Sequence, residues 1–444
     1  MSIKKFVYFI RLSLAVIIYK YKKLSSNTKY VMWVVAICIL VFTSFFLNRY
    51  VFSPTINYSS ILSESETTSI NKSGVGNEVS ITLAGEIMCH DGQLIDSKLT
   101  DENVTKYDFS SCFHEILPYI VNSDLSIASL DGVVVEDSNA KGYPDFFIPQ
   151  SMIKELGKIG FDAFSLADIQ STHRSEEGIL YTGEVLRNEG ISPFGTSFNK
   201  NKPVILTQNG IKIGLISSVT EEYINQTAEE EHVFYDLINV YSSEKIKEDI
   251  ASCKQEGADY IIIYIKWGDG TESVPTSKME SMAKGMIAAG ADFIVGGGSH
   301  IVMPIEQIEC VNPNDPSQKK MGYVAYSLGN FISNQRTDSK DIGTILKVVL
   351  RKTDYSTTYV SGISYTPIYT NVDIEDGKNF KVIPVNTDTA PSWMDEYNSE
   401  RYIQANTIVN AIVPYRLNTS PYFFSDPINN SDRMEWQSSF QKKD

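Results

Sequence analysis

The sequence predicts an α/β domain with largely parallel strands, carried behind one N-terminal membrane span. Three observations carry that expectation. From about residue 78 onward, short apolar runs alternate with segments of helical period, the signature of strand–helix–strand units. A charge-free apolar run, Tyr30–Leu47, extends over 18 residues, long enough to cross a bilayer as a helix. Charge also segregates around that run.

Seven cations, Lys4, Lys5, Arg11, Lys20, Lys22, Lys23 and Lys29, precede the run, and Arg49 follows it. The first acid is Glu64. The positive-inside rule therefore places the N-terminus in the cytoplasm and the rest of the chain outside. A cleaved signal peptide is the rival reading, disfavoured by the long basic leader and long apolar span. The earlier run Phe6–Tyr19 is interrupted by Arg11 and reads as an interfacial amphipathic helix. Residues 51–77 are rich in Ser, Thr, Asn and Gly and read as an extracellular linker.

Strand-like runs follow at Val79–Met88, Leu125–Val135, Ala163–Ala167, Val204–Val219, Tyr260–Trp267, Phe293–Gly296, Tyr323–Leu328 and Thr344–Leu350. Helical segments fall between several of them, at Gln150–Ile159, Glu176–Glu189, Ser243–Gln255 and Ser277–Ala289. Asn209–Gly210 splits ILTQNGIKIGLI into two apolar halves and predicts a hairpin. The expected division is a basic leader (1–29), a membrane helix (30–50), the linker (51–77), a domain over 78–384 with its motifs in 78–335, and a polar, irregular extension over 385–444.

The whole chain has 444 residues, 39 Lys+Arg and 54 Asp+Glu, for a net charge of −15. Beyond Arg49 the balance is 31 cations against all 54 acids, a net of −23. That acidity argues against a nucleic-acid binder, whose footprint would be basic. Cys89, Cys112, Cys253 and Cys310 lie beyond the span. Two disulfides or isolated buried thiols are both compatible with their scattered spacing.

Ligands of α/β sheets bind beyond the carboxyl ends of the strands. There the sequence places Glu86, Asp131, Asp168 with Gln170 and His173 close behind, Lys266, His300 and Asn330. Each singly reads as well as a solvated loop residue or a satisfied core group, but six polar strand ends in succession point to a site. Glycines 85, 268, 296–298 and 329 accompany them. No dinucleotide fingerprint, P-loop or nucleophile elbow is present.

The segments ITLAGEIM, SIASLDG, FDAFSLADIQSTHRSEEGILYTGEVLRNEGISPFGT, the long block ending ADFIVGGGSHIVMPIE, and YVAYSLGNFI resemble the CapA family of poly-γ-glutamate capsule synthesis proteins. That family's domain is similar to the calcineurin-like metallophosphoesterases. The resemblance implies a four-layer α/β/β/α sandwich and a site for divalent metal at the strand ends. It also implies a role in capsule or surface-polymer biosynthesis or export at the cell membrane, with an anionic polymer and other capsule-synthesis membrane proteins as partners.

The departures fall on the ligand positions. The family's Gly-Asp is Gly85-Glu86 here, its Asn-Leu-Glu is Ser129-Leu130-Asp131, and its Ala-Asn-Asn-His is Ala167-Asp168-Ile169-Gln170. Its Asp a little further on is His173. Its His-Trp-Gly is Lys266-Trp267-Gly268, and its Gly-His-His-x-His is Gly296-Gly297-Gly298-Ser299-His300. Asn330 is kept. Imidazoles are thus missing at 170, 266, 297 and 298, and a protonated lysine is no metal ligand. The expectation is a degenerate site in which metal is held, if at all, by Glu86, Asp131, Asp168 and His300. Two readings of Lys266 stand. Its ammonium lies among the carboxylates as counter-charge, or it extends to solvent past Trp267. His90 and His173 are candidates to rebuild a partial metal site with His300, whereas His114 and His232 read as surface residues. A metal-dependent phosphoesterase with a reorganised site is the competing functional reading.

Overall fold

The structure, a computed structural model, describes residues 77–99, 105–168, 176–196, 203–227, 237–268, 270–312, 315–353, 357–373 and 377–415. The expected leader and membrane span lie outside these residues, as do Gln170, His173, His232 and all of the expected linker but Asn77, which opens the first strand. Among the described residues no helix is long and apolar enough to cross a membrane.

Two sheets form the frame. The larger contains β1 (Asn77–Ile87), β2 (Leu125–Leu130), β5 (Ala163–Ser165), β6 (Ser192–Phe194), β13 (Asn330–Ile332), β14 (Ile342–Lys352), β15 (Thr358–Asn371) and β16 (Lys381–Pro384). Their order is β16-β15-β14-β1-β2-β5-β6, with β13 pairing to the end of β1. The β1-β2-β5-β6 half is parallel and the β14-β15-β16 half antiparallel. The second sheet has β7 (Val204–Gln208), β8 (Ile211–Val219), β9 (Tyr260–Lys266), β10 (Phe293–Gly297), β11 (Ile305–Asn312) and β12 (Asp315–Ala325). Its order is β11-β12-β10-β9-β8-β7, parallel through its centre. A short parallel pair, β3 (Val133–Val135) with β4 (Phe147–Pro149), stands apart.

Strand alternation explains how the sheets stack. Val79, Ile81 and Leu83 of β1 join Tyr260, Ile262 and Tyr264 of β9 in one buried cluster between the sheets. The opposite face of β9, Ile261, Ile263 and Ile265, packs with Ile246, Ile250, Met282 and Met286 of the helices Ser243–Gln255 and Ser277–Ala289. The outer face of the larger sheet packs likewise on the helices Gln150–Lys158 and Glu176–Asn188. The result is helix, sheet, sheet, helix, as expected. Ser242 and Thr276 cap the two helices of the second sheet by accepting the backbone N–H groups of Lys245 and Met279.

The expected hairpin is present. Gln208 pairs with Ile211 across a two-residue turn, and Asn209 and Gly210 both take positive φ, 48° and 76°. That matches the turn that Asn-Gly favours. The expected run Leu125–Val135 is instead two strands, broken at Asp131-Gly132 where Gly132 has φ 152°.

The C-terminal region requires a correction. The segment from 385 was expected to be irregular, yet Glu396–Ile412 is a 17-residue helix. Asp395 caps it, accepting the Asn398 N–H at 2.7 Å. Tyr402, Ala405 and Val409 are buried in the core between the sheets. The buried Asn398 side chain donates to Val372 O at 2.9 Å and accepts from the Tyr369 hydroxyl at 2.5 Å. Polar composition hid a helix with only three buried apolar residues, flanked by the partly buried Ile408 and Ile412. The four cysteines are free thiols, so the disulfide reading fails and the isolated-thiol reading holds.

Candidate functional site

Glu86 is the penultimate residue of β1, Asp131 follows β2, Asp168 follows β5, Lys266 ends β9, and His300 lies in the loop after β10. Alternation puts Lys266 on the same face as Tyr260, Ile262 and Tyr264, so its side chain enters the space between the sheets. Glu86 reaches that space by a different device. Leu83 pairs with Ile127 but Glu86 pairs with Ser129, so β1 carries one extra residue there. Such a bulge re-aims the following side chain. Gly85 permits it, since a Cβ at that position would lie 1.9 Å from Gly329 O.

Lys266 is 3% exposed. Its Nζ donates to Glu86 Oε1, donates to Asp131 Oδ2 at 2.6 Å, and lies 3.2 Å from Asp168 Oδ2. All three carboxylates are buried. The counter-charge geometry is therefore the one present, and the path to solvent past Trp267 is not taken. Trp267 is itself buried, donating Nε1–H to Tyr326 O at 3.0 Å. Ser129 Oγ donates to Asp131 Oδ1 at 3.0 Å. The Gly298 N–H donates to Glu86 Oε1 at 2.7 Å, with Gly298 at φ 94°.

His300 closes the cluster toward solvent. Its Nδ1 lies 3.0 Å from Glu86 Oε2 and 3.1 Å from Asn330 Oδ1. Asn330 Nδ2 donates to Ser333 Oγ, Gln335 Oε1 and Lys340 O, which fixes Oδ1 as the acceptor toward His300. Both neighbours of Nδ1 are acceptors, so Nδ1 carries the proton. His300 also adopts φ 60°, an uncommon conformation for a residue with a Cβ.

The charges of this cluster shape one another. Burial works to raise the Glu86 pKa, but the Lys266 ammonium and then His300 outweigh it and hold the carboxyl below its usual range. Burial and the neighbouring Asp168 push Asp131 well up despite Lys266. Burial works to lower the Lys266 pKa, and the three carboxylates reverse it to well above normal. Asp131 thus keeps a proton more readily than Glu86, which is held ionised.

Glu86, Asp131 and His300 each offer an atom within 4.8 Å of the others, the spacing of a metal cluster. His90 does not join them. Burial, with His300 nearby, lowers its pKa to about 4, and its Nε2 is buried. It stacks edge-on against Phe146 at 5.1 Å. His114 is a surface residue, as expected, beside Glu115. The sequence reading passed over Gly298 N–H as a ligand of Glu86 and the loop residues that fix Asn330. The glycine run was the only signal for the first. Nothing in the sequence signalled the second, which depends on how residues 333–340 fold back.

The space beside Gly297 is occupied. A Cβ at Gly297 would lie 3.0 Å from Glu86 Oε1 and 3.4 Å from Lys266 Cδ. The longer carboxylate at 86 and the lysine stem at 266 use the volume that glycine at 297 leaves open.

Residues 80–335 match the family described as "Bacterial capsule synthesis protein PGA_cap". A capsule biosynthesis protein CapA of Bacillus anthracis is 24% identical over 273 residues, 60% of this chain and 62% of that protein. The chain thus spans less than two thirds of that curated relative. A PGA biosynthesis protein CapA of Bacillus subtilis (strain 168) is 32% identical over 78 residues, 18% of each chain. Among solved structures, a calcineurin-like phosphoesterase of Bacillus subtilis aligns with TM-score 0.38 and 14% identity, covering 66% of this chain and 91% of its own. An NAD nucleotidase of Haemophilus influenzae aligns with TM-score 0.39 and 14% identity, covering 82% and 60%. At those scores nothing about the site is transferred. The family match covers more than half of the chain and includes all six polar strand ends, and the chain belongs to the bacterial capsule synthesis protein family.

Proposed function

We propose that this chain is a membrane-anchored participant in the biosynthesis or export of a surface polymer, poly-γ-glutamate or a related capsule material. In this reading its N-terminus is cytoplasmic and its domain faces outward. Its strand-end centre is a degenerate metal site in which Lys266 supplies the positive charge. The observation that carries this is the Lys266 ammonium among Glu86, Asp131 and Asp168. A dication there would meet a fixed like charge, and His300 Nδ1 already donates its proton to Glu86 and Asn330. The donor set therefore does not fit two dications about 3.5–4 Å apart. The family membership and the capsule-synthesis relatives support the polymer role.

The competing reading, a metal-dependent phosphoesterase, draws on the clustering of Glu86, Asp131 and His300 and requires Lys266 to withdraw. Metal analysis of the purified full-length chain, with a phosphodiester hydrolysis assay, separates the two. The expected result is substoichiometric metal and no turnover. Two tightly held transition-metal ions with turnover refute the proposal. In the source cell, deletion of the chain should lower surface polymer and re-expression should restore it. Unchanged polymer refutes the assembly role. Protease should reach the domain from outside intact cells, and protection there refutes the orientation.

A further inference from the structure

A cleft of about 270 Å³ lies at the β16 edge of the larger sheet, away from the strand-end cluster. Its lining includes Glu115 and Tyr119 from one side and Asn386, Thr389, Pro391 and Trp393 from the segment between β16 and the C-terminal helix. That segment lies beyond the residues the family match covers. Trp393 is 52% exposed. Exposure alone is ordinary for a single apolar side chain, but this indole stands at the rim of a cleft with polar groups beside it. Its ring is held in place by Lys381, whose Nζ lies 5.0 Å from the ring centroid.

The polar groups beside the ring are ordered in advance. Asn386 Nδ2 donates to the Tyr119 hydroxyl at 3.1 Å. Thr387 Oγ1 donates to Thr389 O at 2.8 Å and lies 3.2 Å from the Tyr402 hydroxyl. Ordering before binding reduces the entropy a ligand must overcome. The volume falls just below the usual range of ligand sites, roughly 300–1,000 Å³, which suits one or two rings better than an extended chain. The lining carries the Glu115 carboxylate and the Trp393 ring carries the Lys381 ammonium, a balance of one charge of each sign that favours neither a polyanion nor a polycation. Hydroxyls, an amide and a carboxylate beside an open indole suit a ligand with an apolar ring face and a rim of hydroxyl groups.

We propose that this cleft binds a neutral saccharide unit, with Trp393 stacking on the sugar ring and Asn386, Thr389 and Glu115 meeting its hydroxyls. The cleft and the Lys266 centre share no residue, so this proposal stands or falls separately from the role assigned above. The test is isothermal titration of the full-length chain with two neutral tetrasaccharides, β-1,4-linked glucose and β-1,4-linked N-acetylglucosamine. Poly-γ-glutamate and a proline-rich decapeptide serve as comparators. The expected result is saturable binding of at least one saccharide, weakened about tenfold or more in Trp393→Ala, as loss of a stacking anchor costs. Trp393→Phe should recover part of it. Trp393 is half exposed, so both variants should keep the parent melting temperature, which separates lost binding from lost folding. The proposal is overturned if neither saccharide binds, if Trp393→Ala binds as well as the parent, or if a comparator binds more tightly than both saccharides.

Discussion

Replacing Lys266 by methionine tests the charge balance of the strand-end centre directly. Methionine keeps most of the side-chain volume, so packing alone should cost under about 1.5 kcal/mol. The charge loss is larger. The ammonium contacts Glu86 and Asp131 and lies 3.2 Å from Asp168, all of them buried. Removing one partner of a buried ion pair costs about 3–5 kcal/mol, because the other charges remain. Without Lys266 the carboxylates feel burial and each other, and their folded pKa values rise above the unfolded ones. Groups with raised folded values bind protons on folding, so the variant's deficit is small below the unfolded carboxylate range and grows as pH rises. Urea unfolding of parent and variant should therefore differ by about 3–5 kcal/mol at pH 8 and by about 1–2 kcal/mol near pH 4. A difference that is the same at both pH values refutes the counter-charge argument. So does a difference under about 1 kcal/mol at pH 8.

Further outcomes follow from the described structure. Glu86 has a lowered folded pKa, so its contribution is present above its unfolded value near 4.5 and is lost as pH falls. Glu86→Gln should accordingly flatten the parent's acid-unfolding curve below that value, and an unchanged curve contradicts the assignment. Gly297→Ala should destabilise by about 1–3 kcal/mol, because its Cβ would crowd Glu86 Oε1 at 3.0 Å; denaturant midpoints with an unchanged slope would measure this. Truncation after Val385 should abolish cooperative unfolding, since it removes Tyr402, Ala405 and Val409 from the core between the sheets; a sharp calorimetric transition in the truncated chain would count against it. Reductant should leave the melting temperature unchanged, because the four described cysteines are free. Cys112 should resist alkylation in the native state at pH 8, its thiol pushed by burial up to about 12.

Legibility differed from residue to residue. The helices Ser243–Gln255 and Ser277–Ala289 were readable to the residue, because capping hydroxyls and apolar period agree at both. Lys266 could be read only in part. Its parity with Tyr260, Ile262 and Tyr264 is visible in the sequence, but both faces of that strand are apolar, and only the structure shows that this face lies between the sheets and that the solvent path is not taken. Glu86 could not be placed that way. Its parity follows from a bulge, and the only trace of a bulge in a sequence is a glycine such as Gly85. The C-terminal helix escaped notice because Tyr402, Ala405 and Val409 are a thin stripe on a polar segment. Its burial comes from the sheets it lies against, and a local window does not contain them. The threefold anchoring of the Asn330 amide by Ser333, Gln335 and Lys340 was out of reach for the same reason.

The shared volume at Gly297, Glu86 and Lys266 has a consequence for anyone attempting to rebuild a metal centre here. The three positions behave as one lock. Adding histidine at 297 first drives a side chain into the Glu86 carboxylate and the lysine stem. Removing Lys266 first strands three acids without a cation. Shortening Glu86 first detaches the ammonium, the Gly298 amide and His300 together. Each single step alone disturbs contacts made by the other two positions, so a metal centre would have to be introduced by changing all three in concert.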